Sequence, residues 1–212
     1  MYLARTTAFL KPLFKGRVWN VHGASKDLYL TFDDGPIPDL TPWVLDTLAE
    51  YDAKATFFVI GRNAAANPVL LTRIRDAGHS VGNHTWDHCN GWKTNTFAYL
   101  RNTLRCQEVT NTRLFRPPYG KLTGVQSRAL RSRFDVIMWE VLSADFDTTI
   151  DGERCLHNVL ANARPGSIIV FHDSLKAEQR LRFVLPKVLD HYAALGYRFK
   201  ALPETGVRAG SR

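Results

Sequence analysis

The chain has 212 residues, 45% of them hydrophobic, with five Trp and twelve Phe. That is enough to bury one sizeable core, and it excludes an intrinsically disordered protein. A formal charge of +8, from 28 basic and 20 acidic residues, favours anionic partners, but the Lys and Arg are scattered and carry no nucleic-acid module signature, so no nucleic-acid partner is expected.

The N-terminal stretch MYLARTTAFLKPLFKGRVW is broken by Arg5, Lys11, Pro12 and Lys15. It therefore lacks the continuous apolar segment of a secretory signal, and no run in the chain is long enough for a transmembrane segment. The expectation is a soluble, cytoplasmic protein, with Phe9, Leu10, Leu13 and Phe14 offering only weak contact with a membrane surface. DLYLTFD (27–33) reads as a strand closed by Gly35-Pro36. TPWVLDTLAEY reads as a helix with Thr41 as N-cap, Pro42 at its first position and an apolar stripe of Val44, Leu45 and Leu48. KATFFVIG (54–61) predicts a strand, PVLLTRIRDAG a helix stopping at Gly78, and HSVGNH a short strand and turn. Residues 94–111 suit a helix, RLFRPPYG a strand entering a rigid turn, SRALRS a weak helix and FDVIMW (134–139) a strand. A helix at 151–162 precedes the strand GSIIVFHD (166–173). The last helix buries Leu181, Val184, Leu185, Val188, Leu189 and Tyr192, with Pro186 predicted to kink or restart it, and GYRFKAL closes the series as a strand. Cys89, Cys106 and Cys155 have no paired spacing and read as free or buried thiols of a reducing compartment.

Alternation of this kind implies a parallel sheet, as a barrel or as an open doubly wound sheet. Asp33-Asp34, Arg116, Asp145 and His172 all fall at or just beyond C-terminal ends of strands. Barrel active sites sit on that face, although open sheets also bind ligands there. The placement favours a (β/α) barrel of about seven strands in a single domain.

Two adjacent carboxylates raise each other's pKa unless positive partners are near. NHTWDHCNGW supplies His84 and His88 at i, i+4, which on a helical turn would share one face and hold a divalent ion. Alone, such a pair is more often ordinary polarity, but a carboxylate from elsewhere would complete an open His₂-carboxylate site. In FRPPYG the prolines would fix the direction of Arg116 and expose the Tyr119 N–H to a developing oxyanion. WEVLSADFD contributes Asp145, and IIVFHD contributes His172 and Asp173, each singly what one expects where a strand meets solvent.

In their order, TFDDGP, H-x-x-x-H, RPPYG, an Asp-aromatic pair and an aliphatic strand ending in His resemble the polysaccharide deacetylases. This is carbohydrate esterase family 4, the nodulation-protein deacetylase homology domain, and the resemblance runs from about Leu28 to Leu202. It implies a distorted barrel and a catalytic domain at 27–202, between an N-terminal extension (1–26) and a C-terminal tail (203–212). It further implies Asp33 as general base and Asp34, His84 and His88 as ligands of one divalent metal, usually Zn²⁺, with Co²⁺ or Ni²⁺ as substitutes. Arg116 would orient Asp33, Tyr119 would offer its N–H to the oxyanion, His172 would be the general acid and Asp145 its support. The expected partner is an acetylated glycan, such as peptidoglycan or a chitin-like oligosaccharide, with cell-envelope action a corollary of the resemblance. The alternatives are O-acetyl ester cleavage, deacylation of a lipid-linked sugar, or glycan binding without turnover. Two departures stand out: Leu142 replaces the first Asp of the family's fourth motif, and Phe146 replaces its Trp. Trp139 and Trp86 are the candidates to line the groove instead.

Overall fold

The computed structural model describes residues 3–6, 14, 16–23 and 25–207. The expected membrane-surface residues Phe9, Leu10 and Leu13 lie outside them. Phe14 is described and exposed. Among the described residues no helix is long and apolar enough to cross a membrane.

Among the described residues nine strands form one parallel sheet: β1 (Arg17–Val18), β2 (Asp27–Asp33), β3 (Thr56–Val59), β4 (Ser80–Asn83), β5 (Leu114–Phe115), β6 (Asp135–Ile137), β7 (Val141–Leu142), β8 (Ile168–His172) and β9 (Arg198–Phe199). Their order is β1-β6-β5-β4-β3-β2-β8-β7, with β9 on β2, and every ladder is parallel. No ladder joins β7 to β1 among the described residues, so the barrel is distorted and open on that side. The two strands beyond the expected seven are β1 and β7. At two residues each they are too short to carry an alternating pattern.

The helices are α1 (Leu40–Ala49), α2 (Gly61–Ala66), α3 (Pro68–Asp76), α4 (Thr96–Thr110), α5 (Gly124–Leu130), α6 (Gly152–Leu160) and α7 (Glu178–Ala194). The largest apolar cluster lies between the outer face of the sheet and α1, α3, α6 and α7. A second cluster fills the inside of the curve with Val18, Tyr29, Phe58, Leu114, Ile137, Ile168, Leu202 and Val207. Segments flanking 27–202 therefore enter the core: β1 pairs with β6, and Val207 N donates to Asp135.

Two local expectations change. α7 runs through Pro186 without restarting; one lost backbone hydrogen bond is outweighed by the buried face formed by Leu181, Val184, Leu185, Val188, Leu189 and Tyr192. Thr41 is not an N-cap, since α1 begins at Leu40 after Asp39, and its hydroxyl is used elsewhere. The short helix α2 had no distinctive sequence signal. All three cysteines are free, Cys106 and Cys155 buried and Cys89 half-buried.

The central strand positions the site. Side chains alternate faces along a strand, and in β2 Leu28, Leu30 and Phe32 join the outer core while Tyr29, Thr31 and Asp33 face inward. Register pairs Asp33 with Phe58 on one side and with His172 on the other. Asn83 and Phe115 pair across β4 and β5, so His84 and Arg116, the next residues, leave the sheet side by side.

Candidate active site

Arg116 has no solvent exposure. Its Nη1 donates to Asp33 Oδ1 and to Thr31 Oγ1, both at 2.7 Å, Nη2 donates to the Met138 carbonyl at 3.0 Å and Nε to that of Ile137 at 3.4 Å. Its guanidinium lies 4.1 Å from the ring centre of Phe58, which crosses β4 where Gly82 leaves no Cβ to obstruct it. Burial lowers the Arg116 pKa, and the Asp33 carboxylate opposes that shift. Asp33 is itself 3% exposed, so the two form a buried, hydrogen-bonded ion pair.

Asp34 lies beyond the pair, in the left-handed region at φ +83°. Its Oδ1 is 3.2 Å from His88 Nε2 and 3.7 Å from His84 Nε2, and the three donor atoms lie within 4.8 Å of one another. The chemistry of this set fits a cation. His84 Nδ1 is 2.8 Å from the Arg116 carbonyl, which can only accept, so Nδ1 carries the hydrogen and Nε2 presents a lone pair. Burial, helped by His88, pushes the His84 pKa down to about 3 and keeps the ring neutral. Burial also lowers the His88 pKa. Asp34 Oδ1 is buried with no hydrogen-bond partner, a costly arrangement unless a cation joins the cluster. The histidines do not share a helical face as expected. Residues 84–88 form a loop in which Thr85 and His88 have φ of +65° and +57°, and those two left-handed residues turn both imidazoles inward.

Tyr119 is left-handed at φ +59° within the turn Pro118–Gly120. The turn's hydrogen bonds come from the Gly120 and Lys121 amides, and the exposed Tyr119 ring packs 4.6 Å from that of His88. On the opposite wall His172 Nδ1 is 2.8 Å from Asp145 Oδ1, and the His172 amide donates to Asp145 Oδ2 at 2.8 Å. Asp145 is fully buried, and Arg180 Nε donates to its carbonyl at 2.6 Å. Burial disfavours the His172 imidazolium, but the charge and hydrogen bond of Asp145, with help from Asp34 and Asp33, raise its pKa to about 9.

One cleft of about 490 Å³ is lined by Asp33, Asp34, His84, His88, Tyr119 and His172. Trp139, Leu142, Phe146 and Val170 supply its apolar wall, and Ser174 and Lys176 are also in its lining. Leu142 and Phe146, the two departures, are thus in the cleft; Phe146 meets the His172 ring edge-on at 5.1 Å. Of the tryptophans, Trp139 lines the cleft, whereas Trp86 stacks under Arg105 at 3.9 Å. Sequence reasoning passed over Asp173, taken for a polar strand end meeting solvent. It is 1% exposed and bonded to Gly35 and Thr41.

Residues 20–133 match the polysaccharide deacetylase family profile. The chain belongs to the polysaccharide deacetylase family. Among its relatives is a peptidoglycan-N-acetylglucosamine deacetylase of Bacillus cereus, 35% identical over 185 residues, covering 84% of this chain and 67% of that protein. A chitooligosaccharide deacetylase of Azorhizobium caulinodans is 32% identical over 215 residues, covering 89% of this chain and 98% of the relative. In three dimensions this deacetylase-family chain resembles the peptidoglycan N-acetylglucosamine deacetylase Bc1960, crystallised with 4-naphthalen-1-yl-N-oxidanyl-benzamide. The TM-score is 0.85 at 31% identity, over 95% of this chain and 99% of that one. The family profile takes in Asp33, Asp34, His84, His88, Arg116 and Tyr119, while Asp145 and His172 lie beyond it.

Proposed function

We propose that this enzyme is a metal-dependent deacetylase that removes the N-acetyl group from N-acetylglucosamine units of a cell-envelope or chitin-like glycan. The observation that carries the reading is the convergence, in one cleft, of Asp34 Oδ1, which lacks a hydrogen-bond partner, and two neutral imidazoles with Asp33 and His172, each held from behind by a buried partner, Arg116 and Asp145.

A divalent metal held by Asp34, His84 and His88, zinc by the character of the donor set, would supply the Lewis acid that polarises an acetamide carbonyl and acidifies a water. The chain's own residues handle the protons. Arg116 holds Asp33 through Oδ1 and leaves Oδ2 to accept the proton of the attacking water. The Tyr119 N–H donates to the oxyanion that develops as the carbonyl carbon becomes tetrahedral. His172 is bonded to Asp145 through Nδ1, so its second imidazolium proton resides on Nε2, from which it passes to the departing amine. The C–N bond then breaks to give acetate and a free amino sugar.

The direct test is acetate release from chitooligosaccharides, peptidoglycan, acetylxylan and lipid-linked sugars. Release is expected from the N-acetylated glycans, to be abolished by exhaustive chelation and restored by zinc or cobalt. Full activity in metal-free protein, or release from the ester alone, would overturn the proposal.

The acid carries its own pH signature. The folded-state pKa of His172 lies above its ordinary 6.5, at about 9, so the competent imidazolium persists through neutral pH and is lost as pH rises through the folded value. A cation at Asp34 cancels part of that elevation, so in the loaded enzyme the alkaline limb of kcat is expected between 6.5 and 9. Asp145→Asn removes the main elevating charge and should move the limb down by at least about one unit. An unmoved limb would assign it to another group.

A further inference from the structure

We propose that Asp173 is a positioning residue for the proposed metal centre, holding Asp34 in the backbone conformation that aims its carboxylate at His84 and His88. The assignment rests on the reading of that centre given above. Asp173 follows the last residue of β8, and its amide extends the ladder by donating to the Asp33 carbonyl at 3.0 Å. The side chain is 1% exposed and lies beneath the turn that follows Asp34. Its Oδ1 accepts from the Gly35 amide at 3.1 Å, and its Oδ2 accepts from the Thr41 hydroxyl at 2.6 Å. That hydroxyl in turn accepts from the Ile37 amide at 2.8 Å. One carboxylate thus ties down two of the backbone amides that follow Asp34, one directly and one through Thr41.

The other side of the turn is held as well. Asn63 Nδ2 donates to the Asp34 carbonyl at 2.8 Å, and the Ile60 amide donates to the Gly35 carbonyl at 3.0 Å. A non-glycine residue at φ +83° persists only where its surroundings over-determine it. A Cβ at position 35 would overlap the Asp173 carboxylate, so that volume is committed to the clamp. Asp173 is absent from the cleft lining; it acts through Asp34 rather than on substrate.

Zinc titration of the full-length protein against a chromophoric chelator, with the visible spectrum of the cobalt-loaded protein, tests the assignment without reference to turnover. Asp173→Ala is expected to weaken zinc binding about 10–100-fold, the range for residues that orient metal ligands, and to alter the cobalt spectrum. Asp173→Asn keeps an acceptor for Gly35 and should lose less. Thr41→Val keeps the shape, removes the relay to Ile37 and should also weaken zinc. Wild-type affinity and spectrum in folded Asp173→Ala overturn the assignment. If that variant does not fold, wild-type affinity in Thr41→Val overturns it. Failure of the unaltered protein to bind any divalent metal would overturn the proposed function along with it, which separates the two failures.

Discussion

Asp33→Asn is expected to lower kcat by about 10²–10⁴-fold, the usual contribution of a positioned general base, without removing the proposed metal ligands. Asparagine keeps the volume and can turn its carbonyl oxygen to Arg116 Nη1, where Asp33 Oδ1 accepts at 2.7 Å. It cannot take a proton at the second position. The loss should therefore appear in kcat more than in KM, and zinc stoichiometry should stay at the wild-type value, because Asp34, His84 and His88 are untouched. A rate within about tenfold of the wild type, roughly 1.4 kcal/mol of barrier, would remove Asp33 from the base role.

The second large effect is on stability. Arg116→Met is expected to destabilise the fold by about 3–5 kcal/mol, the range for breaking a buried ion pair by removing one partner. The Asp33 carboxylate would remain at 3% exposure without its guanidinium, and the carbonyls of Ile137 and Met138 would lose their donors. At about 2–4 °C per kcal/mol for a chain of this size, a drop of several degrees or more in Tm is predicted. The double variant Arg116→Met/Asp33→Asn leaves no uncompensated charge and should recover part of the loss, so the cycle measures the coupling. A Tm within about 2 °C of the wild type for the single variant would mean that water or another group reaches Asp33, contrary to the burial described.

The motif residues were legible because their chemistry is sparse and ordered along the chain, and the strands that carry them end where the hydrophobic pattern ends. Asp33 and Arg116 meet as expected because β2 alternates inward and outward and β5 stops one residue before Arg116. What was not legible follows from geometry beyond local pattern. The His84/His88 spacing suggested a helix, but Thr85 and His88 are left-handed, and part of what holds that loop is distant in sequence: Asn102 Oδ1 accepts from the Trp86 and Asp87 amides. Thr41 looked like a cap because its type and its place before Pro42 suit one; its hydroxyl is spent on Asp173, 132 residues away. Asp173 itself looked like an ordinary strand end because nothing near it in sequence reveals the turn it supports. Leu142 and Phe146 were recognised as departures, and the cleft shows where they matter, as wall beside His172.

The pairing of Asp33 with His172 across β2 and β8 has a consequence for how this scaffold diversifies. The residues proposed to take and give protons stand on adjacent strands at one register step, so their backbone separation is set by the strand spacing of about 4.8 Å. Loop insertions or deletions, the ordinary currency of divergence, leave that interval intact. The cleft-wall side chains of Phe146 and Lys176, which take no part in the proposed proton transfers, can then be exchanged. Retargeting this enzyme to a different acylated sugar is therefore a problem of rebuilding loops over a fixed interval, with β2 and β8 left alone.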